Sequence, residues 1–146
     1  MFLKKQGLAF YMNVAAAVTG IAGLVTLIIG NNLSEANKMN EFGMMAALGV
    51  IGILLVCAAA VIPNVMKTND IVRAVCTYGA IALYTVVLAR HINARILLIS
   101  GLFSWNNMNT VGWQIFYLMI ASCVCLLVGV IFMIVGAFSR AVKENA

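Results

Sequence analysis

The chain has 146 residues, of which 64% are hydrophobic and only 9% are charged, and its formal net charge is +5. This composition excludes an ordinary soluble domain, in which about a quarter of the residues are charged. The basic residues lie near the ends of apolar segments, where they orient membrane proteins, so we interpret the positive charge as a topology signal. A nucleic-acid-binding surface is not expected.

Four apolar segments follow one another along the chain, at about residues 8–30, 42–62, 74–99 and 113–138, and the sequence leaves open whether the third ends near Ala89 or continues to Ile99. A helix needs about 20 mostly apolar residues to cross a hydrocarbon core of about 30 Å, and each segment meets this length. We therefore predict an all-α integral membrane protein with a single transmembrane domain over residues 1–146. Its four helices are expected to form a bundle with short connectors, surrounded by the lipid bilayer.

The charges of the connectors and tails predict the orientation of this bundle. If the chain crosses four times, one side receives most of the basic residues, namely Lys4, Lys5, Lys67, Arg73, Arg140 and Lys143. Cytoplasmic loops carry an excess of Lys and Arg, so both termini are predicted to be cytoplasmic, with the protein in the plasma membrane. Trp105 lies in the last connector and Trp113 begins the fourth segment, and both suit the outer interface.

Small residues recur at helical spacing in the first and fourth segments. In the first segment they are Ala16, Gly20, Gly23 and Gly30, and in the fourth they are Ser122, Gly129 and Gly136. Residues seven apart lie on one helix face, and small residues let two helix backbones approach closely. We predict that the first and fourth helices pack tightly. Packing within one chain is favoured over packing between two copies.

The third segment carries the strongest candidate for a functional site, because ionisable residues inside a membrane segment are costly unless they reach water, a partner or a ligand. Thr77, Tyr84 and His91 lie seven residues apart, and Arg95 lies one turn beyond His91. We call these four residues the polar stripe. They share one helix face, which we expect to point into the bundle. Arg90 projects from a different face.

The depth of the two arginines suggests what they bind. At about 1.5 Å per residue, Arg90 and Arg95 lie about 25 Å and 33 Å beyond Arg73, close to the outer boundary of the bilayer. We predict that Arg95 and His91 bind an anionic group there, either a lipid phosphate or an anionic solute, joined by Arg90 if the helix bends after Ala89. The alternative is that the arginines are interfacial anchors.

The remaining side chains give no motif for catalysis or metal binding. Cys123 and Cys125 lie two residues apart and point to different sides of a helix, so they are expected to pack as small apolar residues. His91 is far from both in sequence, and no metal or other cofactor is predicted. The four acidic residues lie in predicted loops and tails, without a paired acid and base.

These observations predict a small non-catalytic membrane protein, either an accessory or a transport-related subunit, with an outward-facing basic site. It is expected to act as a homo-oligomer or within a larger membrane complex. The main alternative is an oligomeric pore in which the polar stripe lines an anion path. A membrane enzyme that acts on lipids or quinones is the third and least supported class.

Overall fold

The computed structural model describes residues 7–33, 38–65, 70–105 and 108–138, and within these ranges it contains helices and no strands. The helices are α1 (Leu8–Asn32), α2 (Phe42–Val65), α3 (Asp70–Ser104) and α4 (Thr110–Ala137). Each one is long and apolar enough to cross a membrane. The prediction of an all-α chain with four helices of membrane-spanning length is therefore confirmed.

Each helix extends beyond the apolar segment from which it was predicted, and α3 does so at both ends. α2 continues through Pro63 to Val65, where the sequence indicated an end near Ile62. A proline in a last helical turn removes only one backbone hydrogen bond, so the turn can still form. α3 has 35 residues and is continuous past Ala89 to Ser104.

The four helices form a closed ring in which each one packs against its two neighbours, with α1 contacting both α2 and α4, and α3 contacting the same two. Short connectors make consecutive helices antiparallel. Close packing between α1 and α2 depends on small residues, since a Cβ at Gly20 would lie 3.2 Å from Ile53 and a Cβ at Gly49 would overlap Leu24. The core therefore lies along the common axis of the ring.

Tyr84 lies at the centre of this core and is only 1% exposed. Its hydroxyl donates a hydrogen bond to the carbonyl oxygen of Ala16 in α1, at 3.0 Å. Glycines of the three other helices face it. A Cβ would lie 3.0 Å from the ring at Gly52 and 2.9 Å from it at Gly129, and a Cβ at Gly20 would overlap the hydroxyl. The tyrosine is thus enclosed by backbone from α1, α2 and α4.

The contact between α1 and α4 within one chain contains most of the small residues predicted for it, whereas Gly20 faces α2 and Tyr84. Ser122 of α4 donates a hydrogen bond to the carbonyl oxygen of Gly23 in α1, at 2.9 Å. A Cβ at Gly30 would lie 3.5 Å from Leu118, in ordinary van der Waals contact. These contacts fill the small-residue face of α1 with α4 of the same chain.

We expect Gly20→Ala to lower the free energy of unfolding by about 1–3 kcal/mol, the usual cost of overpacking a core. The added methyl group would overlap the Tyr84 hydroxyl, and the ring cannot move aside because Gly52 and Gly129 already contact it closely. Unfolding in mixed micelles with increasing sodium dodecyl sulfate, followed by circular dichroism, measures this change.

Gly43→Ala is the matched control, because Gly43 also lies in a helix and a Cβ there would meet nothing within 4 Å. Alanine favours helix over glycine, so this variant should keep or slightly raise the stability. Equal losses in the two variants would contradict the enclosure of Tyr84, as would an unchanged stability of Gly20→Ala.

Candidate functional site

The polar stripe of α3 faces the interior of the bundle. Thr77 is 4% exposed, His91 is 2% exposed and Arg95 is 3% exposed. They are thus buried like Tyr84, which lies on the same helix face. Tyr84 and Thr77 make hydrogen bonds to backbone carbonyl groups. Tyr84 bonds to α1, and the Thr77 hydroxyl donates to the carbonyl oxygen of Arg73 one turn earlier in its own helix, at 3.0 Å. His91 and Arg95 are the ionisable side chains of the stripe that are basic, and they are the candidates for binding an anion.

We call His91 and Arg95 the basic site. They lie one turn apart on the buried face of α3, so an imidazole and a guanidinium are held side by side inside the bundle. The Nδ1 atom of His91 is buried without a hydrogen-bond partner among the described residues. Since a guanidinium keeps its charge in proteins, the site places a permanent positive charge in a largely apolar interior.

Arg90 lies outside this site, on the exposed face of α3. Its side chain is about half exposed, and Nη1 donates to Oε2 of Glu41 at 3.2 Å. Glu41 directly precedes α2, so the ion pair ties the start of α2 to α3. An exposed pair of this kind is usually worth less than about 1 kcal/mol. The structure thus brings His91 and Arg95 together and leaves Arg90 apart from them.

The position of the basic site along the bundle follows from the contacts of α3 with α4. Tyr84 of α3 packs against Gly129 of α4, and Leu102 of α3 packs against Gly112 of α4. Because α3 and α4 are antiparallel, these two contacts place Arg95 at the level of Leu118 on α4. Leu118 in turn lies at Gly30, near the end of α1. The basic site is therefore close to the end of the bundle where α1 leads into α2.

The end of α1 contributes a polar contact that the sequence did not reveal. Asn31 is 4% exposed, and its Oδ1 accepts a hydrogen bond from the backbone N–H of Met39, at 2.8 Å. Met39 is itself buried in the core. In the sequence, Gly30-Asn31-Asn32 indicates the end of a helix, because asparagine side chains often hydrogen-bond to nearby backbone groups. It does not indicate which backbone group Asn31 binds. This hydrogen bond holds Met39 against the end of α1, at the level of the basic site.

The opposite end of the bundle carries a different cation. Arg73 donates through Nη2 to the carbonyl oxygen of Gly136 at 3.1 Å, in the last turn of α4. A positive charge at this place is favourable, because the last carbonyl groups of a helix carry partial negative charge. The other basic residues that predict a cytoplasmic side lie outside the described residues, namely Lys4, Lys5, Lys67, Arg140 and Lys143.

The cysteines are not joined to one another. Cys57 is exposed on α2, and Cys76, Cys123 and Cys125 are partly buried, all as free thiols. Within the described parts of the chain, no three His, Cys, Asp or Glu side chains come together. The basic site is accordingly the feature of the interior on which a functional argument can be built.

The sequence matches no protein-family model, no curated protein and no solved structure. Any function of this chain has to be inferred from the chemistry and position of the basic site. His91 and Arg95 supply the chemistry, and their level in the bundle supplies the position.

We expect His91→Leu to leave the stability of the ligand-free protein unchanged or to raise it, because the substitution removes a buried nitrogen that lacks a hydrogen-bond partner. Tyr84→Phe, by contrast, removes a buried hydroxyl that is hydrogen-bonded and should cost about 1 kcal/mol. Thermal unfolding of the delipidated protein compares the two variants. A clearly larger loss for His91→Leu would show that the imidazole has a structural role.

Proposed function

We propose that this chain is a multi-pass plasma-membrane protein with cytoplasmic termini, and that it binds an anionic group at the basic site as a non-catalytic subunit. The observation that carries the proposal is the burial of Arg95, which is 3% exposed, beside His91 with its unsatisfied Nδ1 atom. Burying a charged group costs several kcal/mol, and an anion bound to the guanidinium of Arg95 offsets this cost.

The chemistry of the site suits an oxyanion. A guanidinium presents N–H groups in a planar fork that matches two oxygens of a phosphate or carboxylate. A neutral imidazole protonated at Nδ1 adds a third donor one turn away. Both a lipid phosphate and a small anionic solute present such oxygens. The proposed ligand is therefore an anionic phosphate or carboxylate group.

An accessory or transport-related role agrees with this site better than a pore does. Tyr84 fills the centre of the bundle, and the backbone of three helices encloses it, so the polar stripe does not line an open path through one chain. A pore between several copies would require the stripe to face outward, whereas its residues are buried inside their own bundle. The exposed aliphatic faces are compatible with lipid or with the helices of membrane partners.

Native mass spectrometry of protein extracted in mild detergent tests the proposal. We expect the wild type to retain an anionic lipid or solute and Arg95→Gln to lose it. Arg90→Gln is the matched control, since it also removes one arginine of α3 but from the exposed ion pair with Glu41, and it should retain the ligand. The mass of the retained species distinguishes a lipid from a free anion, and the same spectra report the number of copies and any partner subunit.

Two outcomes would contradict the proposal. One is the same ligand occupancy in the wild type and Arg95→Gln, and the other is an equal loss in Arg95→Gln and Arg90→Gln. If Arg95→Gln does not fold, His91→Leu provides the second test, because it keeps the charge of Arg95 and removes only the imidazole. Reduced occupancy in His91→Leu supports the site, and full occupancy contradicts the assigned role of His91.

A further inference from the structure

Exposed aromatic side chains occur at the two ends of the bundle. Among the described residues they are Tyr11, Tyr78 and Phe138 near one end, and Phe103, Trp105 and Tyr117 near the other. We call the first three the first belt and the second three the second belt. Their positions carry an inference that does not depend on the proposed ligand.

The members of the first belt come from three different helices and lie at one level. A Cβ at Gly136 of α4 would lie 3.2 Å from Met12 of α1, and Arg73 of α3 donates to the carbonyl oxygen of the same glycine. Tyr11 directly precedes Met12 in α1, and Phe138 follows Gly136 by two positions, directly after the end of α4. The first belt therefore surrounds the end of the bundle that carries Arg73.

Phe103 and Tyr117 of the second belt are part of a cluster of rings shared by α3 and α4. Phe103 packs edge-on against Trp113 and Phe116, with ring centroids 5.3 Å and 5.6 Å apart. Tyr117 continues the cluster on α4, at 5.9 Å from Phe116. Trp105 follows α3 directly and is 80% exposed. The rings thus form a connected surface at the second end.

The surface between the belts is mostly aliphatic, is interrupted by the exposed ion pair of Arg90 with Glu41, and is slightly taller than a hydrocarbon core. Its exposed large side chains include Val18, Ile21, Ile51, Leu54, Val86 and Leu127. At about 1.5 Å per residue, the belts are about 38 Å apart along α3, from Tyr78 to Phe103, and about 32 Å apart along α4, from Tyr117 to Phe138. The hydrocarbon core of a bilayer is about 30 Å thick, and about 40–45 Å with its headgroups.

We infer that the two belts lie in the two headgroup regions of a bilayer, and that the partner of these surfaces is the lipid interface. Tyrosine and tryptophan favour this region because their rings are apolar and their O–H and N–H groups remain hydrated.

The position of the second belt also fixes the depth of the basic site. Arg95 is level with Leu118, next to Tyr117, and about 12 Å short of Phe103 along α3, so it lies on the hydrocarbon side of the second belt, and His91 lies about 6 Å deeper.

Tryptophan fluorescence provides the test, because Trp105 and Trp113 are the only two tryptophans of the chain. The full-length protein is reconstituted into phosphatidylcholine vesicles whose acyl chains carry bromine either near the headgroup or near the methyl end. Trp105→Phe and Trp113→Phe each leave a single reporter. We expect shallow bromine to quench each reporter at least about twofold more strongly than deep bromine does.

Two further reporters in the background without Trp105 and Trp113 complete the experiment. Tyr78→Trp places the probe in the first belt and should show the same preference for shallow bromine. Leu127→Trp is the control at mid-depth, since Leu127 is 53% exposed and lies midway between Tyr117 and Phe138, and it should prefer deep bromine. Deep-bromine preference at Trp105, Trp113 or Tyr78→Trp would overturn the inference, as would an absence of lipid quenching there. Because no anion is involved, these results are independent of ligand binding at the basic site.

Discussion

The enclosure of Tyr84 by glycine residues of the three other helices determines how α3 is placed in the bundle. The phenol ring fits only where α1, α2 and α4 present bare backbone, and its hydroxyl bonds to the carbonyl oxygen of Ala16. This contact fixes the rotation of α3 about its own axis. His91 and Arg95 lie seven and eleven residues further along the same face, so the same rotation turns them into the interior. The basic site is thus a consequence of the packing at Tyr84.

The two arginines of this part of α3 show how strongly the helix face decides the role of a side chain. They are five residues apart, yet Arg90 is about half exposed in an ion pair with Glu41 and Arg95 is 3% exposed. In the exposed pair, the carboxylate of Glu41 compensates the charge of Arg90. At the buried guanidinium of Arg95, the proposed anion supplies negative charge where the second belt meets the hydrocarbon core.

Periodicity in the sequence was sufficient to predict the four helices, and it grouped Thr77, Tyr84, His91 and Arg95 on one face of α3. Contacts between residues distant in sequence were not predictable from it. Gly52 stands among apolar residues of α2 without a pattern of its own, and only the structure shows that it faces Tyr84. The pairing of Arg90 with Glu41 likewise depends on how α2 packs against α3. The end of α3 was ambiguous because Arg90 and Arg95 interrupt its apolar character, although the helix continues to Ser104.

The central claim is that Arg95 and His91 bind an anion, and ligand-linked stabilisation tests it most directly. A ligand that binds only the folded protein raises the free energy of unfolding by about 2.7 kcal/mol when its concentration is 100 times the Kd. We predict that phosphatidylglycerol or inorganic phosphate raises the Tm of the delipidated wild type, that Arg90→Gln responds equally, and that Arg95→Gln does not respond. Comparison of the two ligands identifies the source of the anionic group. An equal rise in Tm for the wild type and Arg95→Gln would contradict the account.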